Sequence, residues 1–216
     1  MLSHPYDSLF IFISPVIECT WTSLVHLEIR SMPISPAMAC NHCASGHLHE
    51  GTPGGRVETV HGLPAYITSP PGNEPSKGIV VIIPDAFGWN LNNSRILADA
   101  YAKRAGVTVY LPDFMNVAMP RIVSFLTSLR ASTDDRIAVA GFCWGGQFAV
   151  LLCDPATYST DDGKSLIDFA FVAHPSNLNL PNDIEKVTLP LHMLHDSHGV
   201  PLSMDVIETH GDDTFS

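Results

Sequence analysis

The chain has 216 residues, 45% of them apolar and 15% charged, a balance that excludes a disordered or fibrous protein and leaves room for one full-sized domain with a real core. Acidic side chains outnumber basic ones 22 to 11, for a formal charge of −11; such a surface repels phosphate backbones and anionic lipid, so neither nucleic acid nor a membrane is an expected partner. The five cysteines (Cys19, Cys40, Cys43, Cys143 and Cys153) are odd in number and irregular in spacing, unlike a disulfide framework, and no apolar run reaches the roughly 20 residues of a membrane helix, so a reducing, cytoplasmic setting is expected.

Residues 1–37 read as an N-terminal extension, poorly ordered. Leu9 to Ile13 is apolar, but Ser14-Pro15 interrupts it and no lysine or arginine precedes it, unlike a signal peptide. Pro33 and Pro36 mark a linker, and residues 38–216 form the expected domain. Cys40-Asn41-His42-Cys43 with His47 and His49 has the residue types of a zinc site. The two histidines are only two apart and no second C-x-x-C follows, so no metal or other cofactor is expected.

Alternation at 57–60 and 65–68 around His61-Gly62 predicts strand, turn, strand. Residues 78–83 (GIVVII) form a continuous β-branched run, typical of a parallel strand covered on both faces. A helix is predicted over 92–105, with Ile96, Leu97, Ala100 and Tyr101 on its apolar side. Then come a strand at 107–112, a helix at 122–129, a strand at 136–140, a helix at 145–153, and strands at 169–173 and 191–194. This alternation predicts an α/β fold with a mostly parallel sheet covered by helices.

The most informative segment is Gly141-Phe142-Cys143-Trp144-Gly145, placed between an apolar strand and a helix. It is the cysteine form of the G-x-S-x-G elbow. A nucleophile there sits on a sharp, strained turn, and bulky neighbours two residues to either side would collide as strand and helix approach. The thiol then lies at a helix N-terminus, where amide donors and the helix field favour thiolate and oxyanion. The Trp144 N–H is one candidate oxyanion donor. The plain alternative is a glycine-rich turn holding a buried, inert cysteine.

Gly141-Phe142-Cys143-Trp144-Gly145-Gly146 resembles the elbow of dienelactone hydrolases. So does Ile82-Ile83-Pro84-Asp85-Ala86-Phe87-Gly88-Trp89, and so does Tyr101-Ala102-Lys103-Arg104-Ala105-Gly106 with Val109-Tyr110-Leu111-Pro112-Asp113-Phe114. The stretch from Cys43 to Pro53 (CASGHLHEGTP) and Ala173-His174-Pro175-Ser176 are similar to fungal members. The resemblance spans about residues 38–201. It implies an α/β-hydrolase fold, hydrolysis of small lactones or esters, a Cys-His-Asp triad and no metal. It places Asp85 as a carboxylate contacting the thiol, the Ala86 N–H as a second oxyanion donor, and His174 on the pocket wall. Asp196, just past the last strand, takes the acid position after a one-residue shift, and His210, followed by Gly211, takes the base position.

The sequence departs from that pattern in two places. Residues 114–120 join the 107–112 strand almost directly to the next helix, where the family carries a longer segment, and no arginine stands where some members bind a substrate carboxylate. Thirteen residues separate Asp196 from His210, too few for a further helix and strand. The fold is therefore expected to be shortened internally and towards its C-terminal end, with weak catalysis. Two other readings stay open: a non-catalytic binding protein without a working base, and a redox-responsive thiol protein.

Overall fold

The computed structural model describes residues 48–72 and 74–194. The extension 1–37, Cys40, Cys43, His47, Asp196 and His210 lie outside the described residues.

Arg56–Val60 (β1) and Leu63–Thr68 (β2) form the expected hairpin, with Val60 opposite Leu63. Its two-residue loop, His61-Gly62, is left-handed at both positions, φ 49° and 82°. That turn has the twist of the strands it joins. Ile79–Ile83 (β3) is buried at every position, as a strand sandwiched between two layers must be. Asn92–Ala105 (α1) ends at Gly106, left-handed at φ 71°, whose N–H donates to the Ala102 carbonyl. Thr108–Pro112 (β4), Ala118–Ser132 (α2), Ile137–Phe142 (β5), Trp144–Leu151 (α3), Phe169–Ala173 (β6), Asn182–Glu185 (α4) and Leu191–Leu194 (β7) follow.

The strands form one sheet in the order β1-β2-β4-β3-β5-β6-β7. β1 and β2 are antiparallel, as are β2 and β4; every other pairing is parallel. Alternation along each strand divides the core in two. Val80, Ile82, Val109, Leu111, Phe142 and Phe171 meet Ala98, Tyr101, Ala102 and Ala105 of α1 on one face. Val81, Ile83, Val139 and Val172 meet Ile122, Phe125, Leu126 and Leu129 of α2, and Ala149 and Val150 of α3, on the other.

Three helices differ from their sequence expectation. α1 buries Asn93, Ala98, Tyr101, Ala102 and Ala105, whereas Ile96, Leu97 and Ala100 stay partly exposed. Small residues let its backbone approach the sheet, and Ile96 turns aside against Gly51, where an added Cβ would lie 3.3 Å from its Cδ1. α2 extends past 122–129 at both ends. Pro120 is tolerated in its first turn because N–H groups there have no intrahelical acceptor. Near its end, buried Arg130 donates to Asp168 Oδ2 at 2.7 Å, and the same oxygen accepts the Ile137 N–H at 2.7 Å. α3 closes at Leu151, so Cys153 falls just beyond it, its Sγ bonded to the Ala149 carbonyl at 3.4 Å. Among the described residues no helix is long and apolar enough to cross a membrane.

Candidate active site

The topology singles out one place on the sheet. α1, which follows β3, lies on one face; α3, which follows the neighbouring β5, lies on the other. Loops that leave adjacent parallel strands in opposite directions open a crevice beyond their carboxyl ends, where ligands of such sheets bind. The residues flanking this crevice are the Asp85–Trp89 loop and Cys143.

Cys143 stands between the last residue of β5 and the first of α3, with φ 48° and ψ −112°. A side chain in that region is strained, and the surroundings must hold it there. Three glycines make the approach possible. A Cβ on Gly141 would lie 2.7 Å from Ala149 Cβ and from the Gly145 carbonyl oxygen. One on Gly145 would lie 2.2 Å from the Ile83 carbonyl oxygen and 2.5 Å from that of Pro84. One on Gly146 would meet Pro175 Cα at 2.8 Å. The elbow thus presses on the end of β3 from one side and on the chain leaving β6 from the other.

That chain acts as a clasp. The Cys143 N–H donates to the Ala173 carbonyl at 3.0 Å, and the Cys143 carbonyl accepts from the N–H groups of Gly146 at 3.0 Å and Ser176 at 3.1 Å. His174 is itself left-handed, φ 49°, and its N–H donates to the Leu194 carbonyl at 3.0 Å. Only 7% of Cys143 is exposed. The Trp144 N–H is among the first of α3, which have no acceptor within the helix, and its ring lies edge-on to Phe148 at 4.8 Å.

The opposite wall is a tight turn. The Phe87 N–H donates to Asp85 Oδ1 at 2.9 Å and the Gly88 N–H to the Asp85 carbonyl at 3.1 Å, leaving Ala86 at the exposed tip. Burial pushes the Asp85 carboxyl up to about 6, against the downward pull of hydrogen bonds from Phe87 and Gly88. Its value in the unfolded chain is 3.8, so the native state binds this proton more tightly. The associated stability is whole below the unfolded value and is lost as pH rises through about 6. Asp85→Asn, neutral throughout, should therefore be more stable than the parent chain above about pH 6 and converge with it below about pH 4. Urea midpoints across that range test this; parallel curves would mean a well-solvated carboxyl.

The structure thus brings Asp85, Ala86, Cys143, Trp144 and His174 to one end of the sheet. Ser176 and Pro175 were not singled out from the sequence beyond a family likeness. The second glycine of the elbow was their signal, since Gly146 is where Pro175 seats. The backbone N–H of His49, from the Cys/His cluster, donates to Asn93 Oδ1 at 2.8 Å. Among the described residues no three His, Cys, Asp or Glu side chains converge as a metal site would require.

No protein-family model matches the chain. It is 28% identical over 174 residues to "Hydrolase pyvD" of Aspergillus violaceofuscus, covering 69% of this chain and 66% of the relative. It is 32% identical over 130 residues to the "Carboxymethylenebutenolidase homolog" of Mus musculus, 48% of this chain and 51% of that one. "Dienlactone hydrolase 1" of Gibberella moniliformis is 30% identical over 86 residues, 40% of this chain and 32% of the relative. The chain resembles dienelactone hydrolases in sequence. It spans about two thirds of the Aspergillus protein's length and about half of the mouse protein's. The crystal structure of a candidate thioesterase from Silicibacter sp. superposes with a TM-score of 0.50 over 70% of each chain at 14% identity, a likeness of fold alone. The fold is that of the α/β hydrolases.

Proposed function

We propose that this chain hydrolyses small carboxylic esters or lactones, with Cys143 as the nucleophile. The backbone of Cys143, φ 48° and ψ −112° at the strand-to-helix junction, carries this reading. Such strain persists where the scaffold over-determines it, which happens mostly at functional sites. The dienelactone hydrolase relatives support the substrate class.

In this mechanism the Cys143 thiolate adds to the ester carbonyl carbon. A carbon–sulfur bond forms and the carbonyl π pair moves to oxygen. The N–H groups of Ala86 and Trp144 hold the resulting oxyanion, and preorganised donors of this kind are the largest single source of rate in acyl transfer. Collapse breaks the bond to the leaving oxygen, which takes up a proton; in a lactone that alcohol stays tethered to the acyl group. Water then adds to the thioester, the sulfur leaves as thiolate, and the carboxylic acid departs. The family resemblance gives the proton transfers to His210, oriented by Asp196, and puts Asp85 and His174 on the pocket wall.

Rapid quenching after mixing with p-nitrophenyl acetate, followed by peptide mass spectrometry, tests the intermediate. An acetyl group on the peptide containing Cys143, absent from the peptide containing only Cys153, is the expected result. Turnover with no adduct on Cys143 would overturn the nucleophile, and an intact fold with no turnover would leave a binding protein.

A further inference from the structure

The loop leaving β4 contains strain that the proposed chemistry does not use. Residues 113–117 alone join β4 to α2. Within them Asn116 and Val117 are both left-handed, φ 62° and 51°. For a β-branched residue this is a genuine outlier, and Val117 is 70% exposed, so it gains no burial in return. The loop is nevertheless tied at several points. The Met115 N–H donates to Asp113 Oδ1 at 3.2 Å. Arg121, on the first turn of α2, folds back to donate to the Met115 carbonyl at 2.8 Å and reaches the Asp113 carbonyl at 3.5 Å. Phe114 is anchored in the core at 0% exposure. Between these ties the Met115 side chain lies against Gly88: a Cβ there would be 3.4 Å from Met115 Cγ and 3.6 Å from Sδ.

We infer that Met115 sets the size of substrate the crevice accepts, forming its wall on the β4 side, with Arg121 as the residue that positions it. The inference rests on the crevice proposed above and adds a specificity residue to it. β4 lies two strands from β5, with β3 between them, a distance of about 10 Å at ordinary strand spacing. An acyl chain bonded to Cys143 and running over the end of β3 meets the Met115–Gly88 contact after a few methylenes. Methionine suits the place, because an unbranched thioether fills a gap and yields when the gap changes shape.

The test compares the parent chain with Met115→Ala and Met115→Phe, using kcat/KM for p-nitrophenyl acetate, butyrate and octanoate. Alanine should raise the octanoate-to-acetate ratio by about tenfold and phenylalanine should lower it to a similar degree, the range that a change of pocket size gives. Calorimetric Kd values for octanoate and butyrate anions read the same preference without turnover. A catalytically dead chain would then count against the hydrolase reading and not against Met115. Ratios within about twofold of the parent in both variants, or equal losses at every chain length, would overturn the assignment.

Discussion

Cys143→Ala should abolish ester turnover, lowering kcat by about 10⁴-fold or more, as removal of a covalent nucleophile does elsewhere. The comparison that gives this force is Cys153→Ala. Both thiols are buried, and both follow the same strand within a dozen residues. Cys153 has 0% exposure, donates to the Ala149 carbonyl, and has its thiol pushed up to about 12 by burial. It is a core filler, and its loss should cost about 1 kcal/mol of stability with kcat within about twofold of the parent. Of these two, only Cys143 combines a strained backbone with a place at a helix N-terminus. Steady-state rates on a small activated ester, with thermal midpoints measured alongside, decide the matter. Equal losses of rate in both variants would mean that turnover follows folding, and Cys143 would not be the nucleophile.

Gly145→Ala should be among the most destabilising single-methyl additions the molecule offers. The new Cβ would stand 2.2 Å from the Ile83 carbonyl oxygen and 2.5 Å from that of Pro84. These are backbone atoms at the end of the central strand β3, itself hydrogen-bonded on both sides, so neither can step back without disturbing the ladder. Overpacking of flexible cores costs about 1–3 kcal/mol; against fixed backbone about 3 kcal/mol or more is expected, together with loss of the elbow geometry. Gly54→Ala is the control, since its nearest neighbour would be Asp99 Oδ2 at 3.9 Å. Urea unfolding of the two variants should separate them clearly. A change below about 1 kcal/mol for Gly145→Ala would mean that the end of β3 yields to the added methyl.

Local patterns in the sequence carried the elements that local physics decides. The β-branched run at Ile79–Ile83 can be covered on both faces, so it reads as a central strand. His61-Gly62 between alternating runs reads as a hairpin turn. Cys143 between strand and helix, with glycines on both flanks, reads as an elbow. What depends on distant partners was not legible. α1 docks through Ala98, Tyr101, Ala102 and Ala105, with Leu97 packed at the margin of that core, whereas Ile96 turns aside towards Gly51. Arg130 near a helix end looks solvated until Asp168, on another element, is seen beside it. The clasp on Cys143 from Ala173 and Ser176, and the rest of Met115 on Gly88, are also contacts between loops far apart in sequence. Periodicity says nothing about such pairs. Family likeness alone gives Asp196 and His210 their roles, and both lie outside the described residues.

The sheet order also sets a timetable for synthesis. β3 leaves the ribosome apolar on both faces, pairs on one side with β4 soon after, and finds β5 only when Ile137–Phe142 emerges. At about 5–20 residues per second, the roughly 50 residues between Ile83 and Ile137 take some 3–10 s. For that interval one edge of Ile79–Ile83 is an open template for pairing with another nascent chain. Gly145 then closes onto the Ile83 and Pro84 carbonyls, so the strained turn at Cys143 forms only once β3 is in place to hold it. Conditions that slow translation between these two strands should raise aggregation while leaving the finished protein's stability untouched.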